Sequence, residues 1–431
     1  MEYLGLIAIF LTILFLFLGT GIWIALSLTG VAAIGMMLFT SRPVGDAMAT
    51  TIWSASSGWT LAALPLFIWM GEILFRTRLS ENLFKGLQPW MQHLPGGLLH
   101  VNIAGSALFA AISGSSAATV ATVGKMSIPE LRRRQYPEKM IIGTLAGAGT
   151  LGLLIPPSIT LIIYGVTVNE SIAKLFIAGV IPGIVLALMF MTFVMVWSWF
   201  KGGTSEAADP NTTWSDRLAA LLQLLPVIAL IGAVMGAIYT GITTATEAAV
   251  LGVVGALIMS AAQRSLSWES FKESLLGATR TSSMIAFILA GSAFLTLTMG
   301  FTGIPRALAA FIAELGLSPW QLIVMLTVFY VILGCFLDGI SSIVLTMAVV
   351  EPIVRQAGFD MIWFGVFLMI VVEIAQITPP IGFNLFVLQG MTGRDMDFIA
   401  KAAAPMFLIM LLAVVVLSVF PGLATWLPSQ M

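Results

Sequence analysis

Charge is what this chain has least of. Only 9% of its 431 residues are Asp, Glu, Lys or Arg, against about 25% in an ordinary soluble domain, so a solvated globular surface is excluded. Lys and Arg number 19 and Asp and Glu 20, a net charge of −1 that gives no electrostatic basis for binding nucleic acid or anchoring to acidic lipid. A single cysteine, Cys335, excludes an internal disulfide. Two histidines, His93 and His100, leave no cluster with zinc-ligand spacing. No GxxxxGK[ST] phosphate loop is present, so this chain does not hydrolyse ATP. Gly114-Ser115-Ser116 does not extend to a G-x-S-x-G nucleophile elbow, and an enzyme is not expected. The N-terminus is acidic at Glu2 and lacks a basic leader region, which makes it a first helix rather than a cleaved signal.

What the chain has is apolar sequence, 59% of it. At about 20 residues per crossing, that is material for roughly a dozen spans. Long apolar runs fall at 3–19, 21–40, 58–75, 98–129, 141–168, 172–200, 218–238, 241–263, 281–301, 320–353, 361–390 and 402–427. Two of them are interrupted by polar patches, SGSSAAT at 113–119 and DGISS at 338–342, leaving halves too short to cross. Each of these runs, 98–129 and 320–353, is expected to form a re-entrant helical hairpin. Each is followed by a run containing a double proline, IPPS at 155–158 and TPPIGFN at 378–384. Proline removes a backbone donor and clashes with the preceding turn, so the helices at 141–168 and 361–390 should be discontinuous and free carbonyl oxygens there.

These features repeat. Pro156 and Pro157 precede Pro379 and Pro380 by 223 residues, as Ser115 precedes Asp338. Thr20-Gly21-Ile22 and Thr240-Gly241-Ile242 match at an offset of 220. The expected organisation is an N-terminal repeat at 1–200, a polar linker at 201–217 and a C-terminal repeat at 218–431. Arg76, Arg78, Lys85, Arg132, Arg133, Arg134 and Lys139 flank the first hairpin, whereas Arg306 and Arg355 flank the second. The first hairpin should therefore open to the cytoplasm and the second to the other face, as in an inverted repeat whose tips meet near the bilayer midplane. The fold class is an all-α polytopic membrane protein built from inverted repeats, with two re-entrant hairpins and two discontinuous helices.

Bare backbone oxygens in a water-poor region suit a dehydrated cation. Carbonyls around 113–116 and 149–156 are candidates for one oxygen cage, and those around 334–338 and 378–381 for a second; helix capping by neighbours is the structural alternative. The outgoing arms begin at the tips with free amides and a positive dipole end, which favour an anion. The hydroxyls of Ser115, Ser116, Thr119, Ser341 and Ser342 and the Asn384 amide are candidates to orient it, with capping and small-residue packing as the alternative. Four acids lie within apolar runs: Glu72, Glu247, Asp338 and Glu373. Each must be paired, protonated or turned to a cavity, and Asp338 at a tip is the leading functional candidate. For Glu72 and Glu247 both a structural anchor and a coupling role stay open. Lys125 is expected to snorkel toward the cytoplasm.

Several long segments resemble the large membrane subunit of the tripartite ATP-independent periplasmic (TRAP) transporters. They are GSSAATVATVGKMSIPEL at 114–131, GTLGLLIPPSITLIIYG at 149–165, TGITTATEAAVLG at 240–252 and EIAQITPPIGFNLFVLQG at 373–390, with PLFIWMGEIL at 65–74 and GGLLHVNI at 96–103. The resemblance implies a sodium-driven importer of organic acid anions in the bacterial inner membrane, working by an elevator movement, with Na+ as coupling ion and no other cofactor. It implies two partners, a small four-helix membrane subunit carried on a separate chain and a periplasmic substrate-binding protein. It also places one sodium site on Ser113, Ser115, Gly149, Leu153 and Pro156, and a second on Gly334, Asp338, Thr378 and Ile381. A passive channel or facilitator for small anions, built from the same hairpins, is the alternative.

Overall fold

The computed structural model describes residues 2–76, 79–200, 213–380 and 382–431. All regular structure among them is helical. Among the described residues, six helices are long and apolar enough to cross a membrane, or up to eight if each of two bent pairs counts as one span. The shortfall from a dozen has a structural reason: much of the apolar sequence forms helices of 10–17 residues.

Two helical hairpins turn at the polar patches. The first joins Leu99–Ser113 to Ser116–Arg133. Its incoming arm ends at Gly114 with φ +57, a left-handed conformation that favours glycine. Ser115 then caps the outgoing arm, its hydroxyl accepting from the Ala118 amide. The second joins Pro319–Gly334 to Gly339–Gln356. Asp338 caps its outgoing arm, accepting from the amides of Ile340 at 3.1 Å and Ser341 at 3.4 Å. In both, the arms fold back on each other. Tyr330 and Thr346, eight residues either side of Asp338, bond through their hydroxyls at 2.7 Å. A Cβ on Gly105, nine residues before Gly114, would meet Val123, nine after it, at 3.9 Å. The observed arms outrun the apolar runs because their ends are amphipathic, as at Arg132 and Arg355.

Both double prolines break their helices. The first broken helix comprises Glu138–Gly149, Leu151–Leu154 and Ile159–Val168, with a 42° bend across 155–158. The second comprises Met361–Gln376 and Phe383–Thr392. The Pro156–Pro157 and Pro379–Pro380 bonds are cis. The two broken helices run antiparallel: Glu138 pairs with Arg394 just beyond the end of the second, and the Tyr164 hydroxyl near the end of the first donates to the Met361 carbonyl at 2.7 Å. Every residue from Met140 to Gly149 is buried, as is all of Met361–Gln376 except Ile362. A helix apolar all round belongs in an interior, and these two segments form it.

The remaining helices surround that centre. In the first half they are Glu2–Gly19, Ile24–Phe39, Val44–Ser56, Ala63–Phe75, Leu79–Met91 and, after the broken helix, Ile172–Phe200. In the second they are Trp214–Tyr239, Ala245–Ala262, Trp268–Thr302, Ile304–Glu314 and Met396–Val419. The order matches except that Val44–Ser56 and the following helix, bent by 56°, stand where the second half has one 35-residue helix. Gly21 and Gly241, matched in sequence, both take positive φ, +80 and +71. Three helices escape the hydropathy reading, Val44–Ser56, Leu79–Met91 and Ile304–Glu314. Leu79–Met91 buries Leu83 and Leu87 on one face while Lys85 sits on another, so no continuous apolar run marks it.

The expected linker at 201–217 is partly displaced. Residues 201–212 lie outside the described residues, and 213–217 already belong to a helix start, where Thr213 and Asp216 form a capping box for Trp214–Tyr239. Trp53, Trp59 and Trp199 are exposed as interfacial anchors would be, whereas Trp90 is half-buried and donates to the Arg217 carbonyl.

Candidate functional site

At the first hairpin tip the Ser113 hydroxyl lies 2.9 Å from the Thr119 hydroxyl and donates to the Ser115 carbonyl at 3.2 Å. Thr119 donates to that same carbonyl at 2.8 Å. Three residues expected at the site thus form one oxygen-rich knot. The tip rests against the first break, for a Cβ on Gly152 would fall 2.7 Å from the Ser116 nitrogen and 2.8 Å from the Ser115 carbonyl carbon. Leu153, the next residue, is therefore beside the tip. Gly149 is a turn away, facing Val120 and the Asn384 amide. Pro156 turns toward Gly179 on Ile172–Phe200, where a Cβ would meet its ring at 3.6 Å.

At the second tip Gly334 packs on Ala375, and the Cys335 thiol donates to the Pro379 carbonyl at 3.3 Å. The tip and the second break are thereby brought together. Asp338 spends its carboxylate on its own helix start and on the Ser341 hydroxyl. Thr378 donates to the Ile374 carbonyl at 2.6 Å. Ile381 lies outside the described residues.

The two tips are connected through Glu373, on the second broken helix one turn before its break. Its side chain is fully buried, and one oxygen accepts from the Ser116 hydroxyl and from the Leu153 amide at 3.1 Å. Leu153 also reaches the second tip, since a Cβ on Gly339 would meet its Cδ1 at 3.0 Å and Val372 at 2.9 Å. Each tip therefore contacts the broken helix of the other half. In the sequence Glu373 is one of four acids within apolar runs, and Asp338 at a tip is the stronger candidate. The position of Glu373 just before the TPP signal was the available clue; its partners, 220 and 257 residues away, were not.

The other acids resolve toward anchoring. Glu247 completes a capping box with Thr244, and Glu72 pairs with Arg76 beside Gly277. Lys125 is exposed.

Several buried polar atoms here have no protein partner: Ser342 Oγ, Gln376 Nε2, Glu373 Oε2 and both amide atoms of Asn384. Each such atom costs about 1–3 kcal/mol if nothing satisfies it. Ser342 and Asn384, both expected at the site, are thus free to bind, whereas Ser116, Thr119 and Ser341 are engaged with Glu373, Ser113 and Asp338. Among the described residues no cluster of three His, Cys, Asp or Glu side chains is present, and what the tips offer is mainly neutral oxygen. Such donors fit a weakly held monovalent cation and a small polar solute.

A helical, membrane-spanning chain whose polar groups gather where two hairpin tips meet two interrupted helices has the construction of a solute transporter. Comparison with known proteins makes this specific. The family described as "Tripartite ATP-independent periplasmic transporter, DctM component" matches residues 9–423, and the chain belongs to it. It is 32% identical to the C4-dicarboxylate TRAP transporter large permease protein DctM of Pseudomonas aeruginosa over 428 residues, 97% of this chain and 99% of that one. It is 31% identical to the isethionate TRAP transporter permease protein DctMQ of Oleidesulfovibrio alaskensis, over 95% of this chain and 64% of that one. Among solved structures, the YdaH transporter of Alcanivorax borkumensis matches with a TM-score of 0.65 at 13% identity, covering 93% of this chain and 97% of that one, a likeness of fold.

Proposed function

We propose that the chain is the large permease subunit of a sodium-driven importer of small organic acid anions in the bacterial inner membrane. The observation that carries this reading is the convergence of both hairpin tips and both helix breaks around Glu373 and Leu153. The hairpins are taken as re-entrant because each turns at a polar tip and both tips meet the helix breaks in the buried centre. The antiparallel broken helices support an inverted repeat, divided near 201–217. Sodium ions bind the oxygens at Ser113, Ser115, Gly149, Leu153 and Pro156 and at Gly334, Asp338, Thr378 and Ile381, ordering the tips. The anion then binds between the helix starts at Ser116 and Gly339, with Ser342 and Asn384 supplying unspent hydrogen bonds.

Relatives named for C4-dicarboxylates and for isethionate transport small anions with carboxylate or sulfonate groups, which supports an anionic substrate here. The fused DctMQ relative supports a small membrane subunit as partner, and the family's description supports a periplasmic component that delivers the substrate. Ion and anion must prefer the same closed state, with a coupling of about 1–3 kcal/mol. The hairpins and broken helices then move as a unit against the surrounding helices. The test is uptake into proteoliposomes holding the large and small subunits, with binding protein outside. Concentrative uptake that disappears without an inward sodium gradient is expected; equilibration alone favours a passive facilitator and overturns the reading.

A further inference from the structure

Two arginines occupy equivalent places and make equivalent bonds. Arg132 lies in the last turn of the first hairpin's outgoing arm, and Arg355, 223 residues later, in that of the second. Arg132 donates to the carbonyl of Thr392, the last residue of Phe383–Thr392. Arg355 donates at 3.1 Å to the carbonyl of Val168, the last residue of Ile159–Val168. Both carbonyls stand just before a left-handed residue, Gly393 or Asn169, where a helix leaves its final oxygens without intrahelical partners. A cation there also meets the negative end of the helix dipole. Each guanidinium is held in turn by acids: Arg132 by Glu138, which also pairs with Arg394, and Arg355 by Glu351 at 2.9 Å and Glu170 at 3.6 Å.

In both cases the arginine and its carbonyl belong to different halves of the chain. The outgoing arm of each hairpin packs along the second segment of the other half's broken helix, and the arginine closes that contact at its outer end. The inner end is closed by Ser116 with Glu373 for the first hairpin and by Gly339 with Leu153 for the second. Because the first broken helix starts at Glu138 and ends at Val168, the two arginines lie at its opposite ends.

We propose that Arg132 and Arg355 are paired positioning residues, one near each membrane face, that fasten each hairpin's base to the opposite half's broken helix so that hairpins and broken helices travel as one body. The inference rests on the transporter reading. Ordinary half-exposed ion pairs contribute little; these differ in bridging two helices that must not slide apart while a tip opens. Helix-to-helix fastening of this kind transmits ion binding at one tip to the other half.

The test uses the full chain with its small subunit in lipid nanodiscs, and Arg132→Ala, Arg355→Ala and the two lysine variants. Hydrogen exchange in Arg132→Ala should rise at least about 5-fold both at 128–134 and at 388–394, with 164–170 and 350–357 unchanged. Arg355→Ala should do the reverse, and lysine should restore part of each. In proteoliposomes, sodium for half-maximal uptake should rise at least about 5-fold in each alanine variant. Exchange that rises only in the mutated arm, or spreads evenly over the chain, overturns the proposal, as does an unchanged sodium requirement. If alanine variants do not assemble, the lysine variants are read by the same criteria. Wild-type uptake indifferent to sodium would sink the coupling reading alone, and the paired exchange pattern would still decide the latch.

Discussion

Glu373 and Asp338 both stand beside a hairpin tip, yet their surroundings assign them different work. Glu373 is fully buried and supplies the acceptor for two groups from the other half, the Ser116 hydroxyl and the Leu153 amide. Glu373→Ala leaves both donors unpaired and should cost about 2–4 kcal/mol, read as a lower unfolding midpoint in detergent. Glu373→Gln keeps a carbonyl acceptor at the same place and should lose less than half of that. An alanine variant as stable as wild type would mean the bridge carries no weight. Asp338 caps its own helix with one carboxylate oxygen while holding Ser341 with the other. Asparagine caps about as well as aspartate, so Asp338→Asn should keep the fold but raise the sodium needed for half-maximal uptake about 10-fold. Asp338→Ala should lose about 1 kcal/mol of stability in addition. Equal sodium requirements in Asp338→Asn and wild type would remove its charge from the ion site.

At the scale of elements, the fit between a tip and a break is tight enough to be tested by one methyl group. Gly152 has no room for a Cβ, which would lie 2.7 Å from backbone of the first tip, and neither backbone can retreat as a side chain would. Gly152→Ala should therefore cost about 1–3 kcal/mol and reduce uptake several-fold. Gly236, within Trp214–Tyr239 with nothing inside 4 Å of its would-be Cβ, is the matched control, where alanine should be neutral or stabilise by about 0.5–1 kcal/mol. Equal effects at both sites would deny the packing. The sequence made these elements readable because tips and breaks are written in backbone chemistry: Gly114, the Ser-rich patch, Asp338 and the double prolines act locally. The amphipathic helices Leu79–Met91 and Ile304–Glu314 were hidden, since half their surface is polar and hydropathy sees only continuous runs. Glu373 with Ser116, and Arg132 with the Thr392 carbonyl, were hidden for a different reason: contacts across roughly 260 residues leave no periodicity in the chain.

For the whole molecule, the question is which surfaces slide. The long helix Trp268–Thr302 packs on Ile24–Phe39 and Ala63–Phe75, and Thr298 donates to the Ala32 carbonyl at 3.3 Å, which places it with the surrounding frame. It also touches the second hairpin, where the Ser292 hydroxyl donates to the Val344 carbonyl at 2.6 Å. That bond spans the two parts that an elevator movement would displace by many ångströms, whereas a gate opening only at a tip would leave it intact. Cysteines at Ser292 and Val344, joined by a short bis-methanethiosulfonate reagent that forms a disulfide with each and releases methanesulfinate, separate the two mechanisms. The native thiol must first be replaced as Cys335→Ser, which keeps a donor toward the Pro379 carbonyl. If the centre moves against the frame, cross-linking should abolish uptake and reduction should restore it, while each single cysteine treated with the reagent stays active. Uptake that survives the cross-link would confine motion to the tips. The same fold would then work as a gated pore around a fixed site, with the arginine latches holding its walls in place rather than its moving body together.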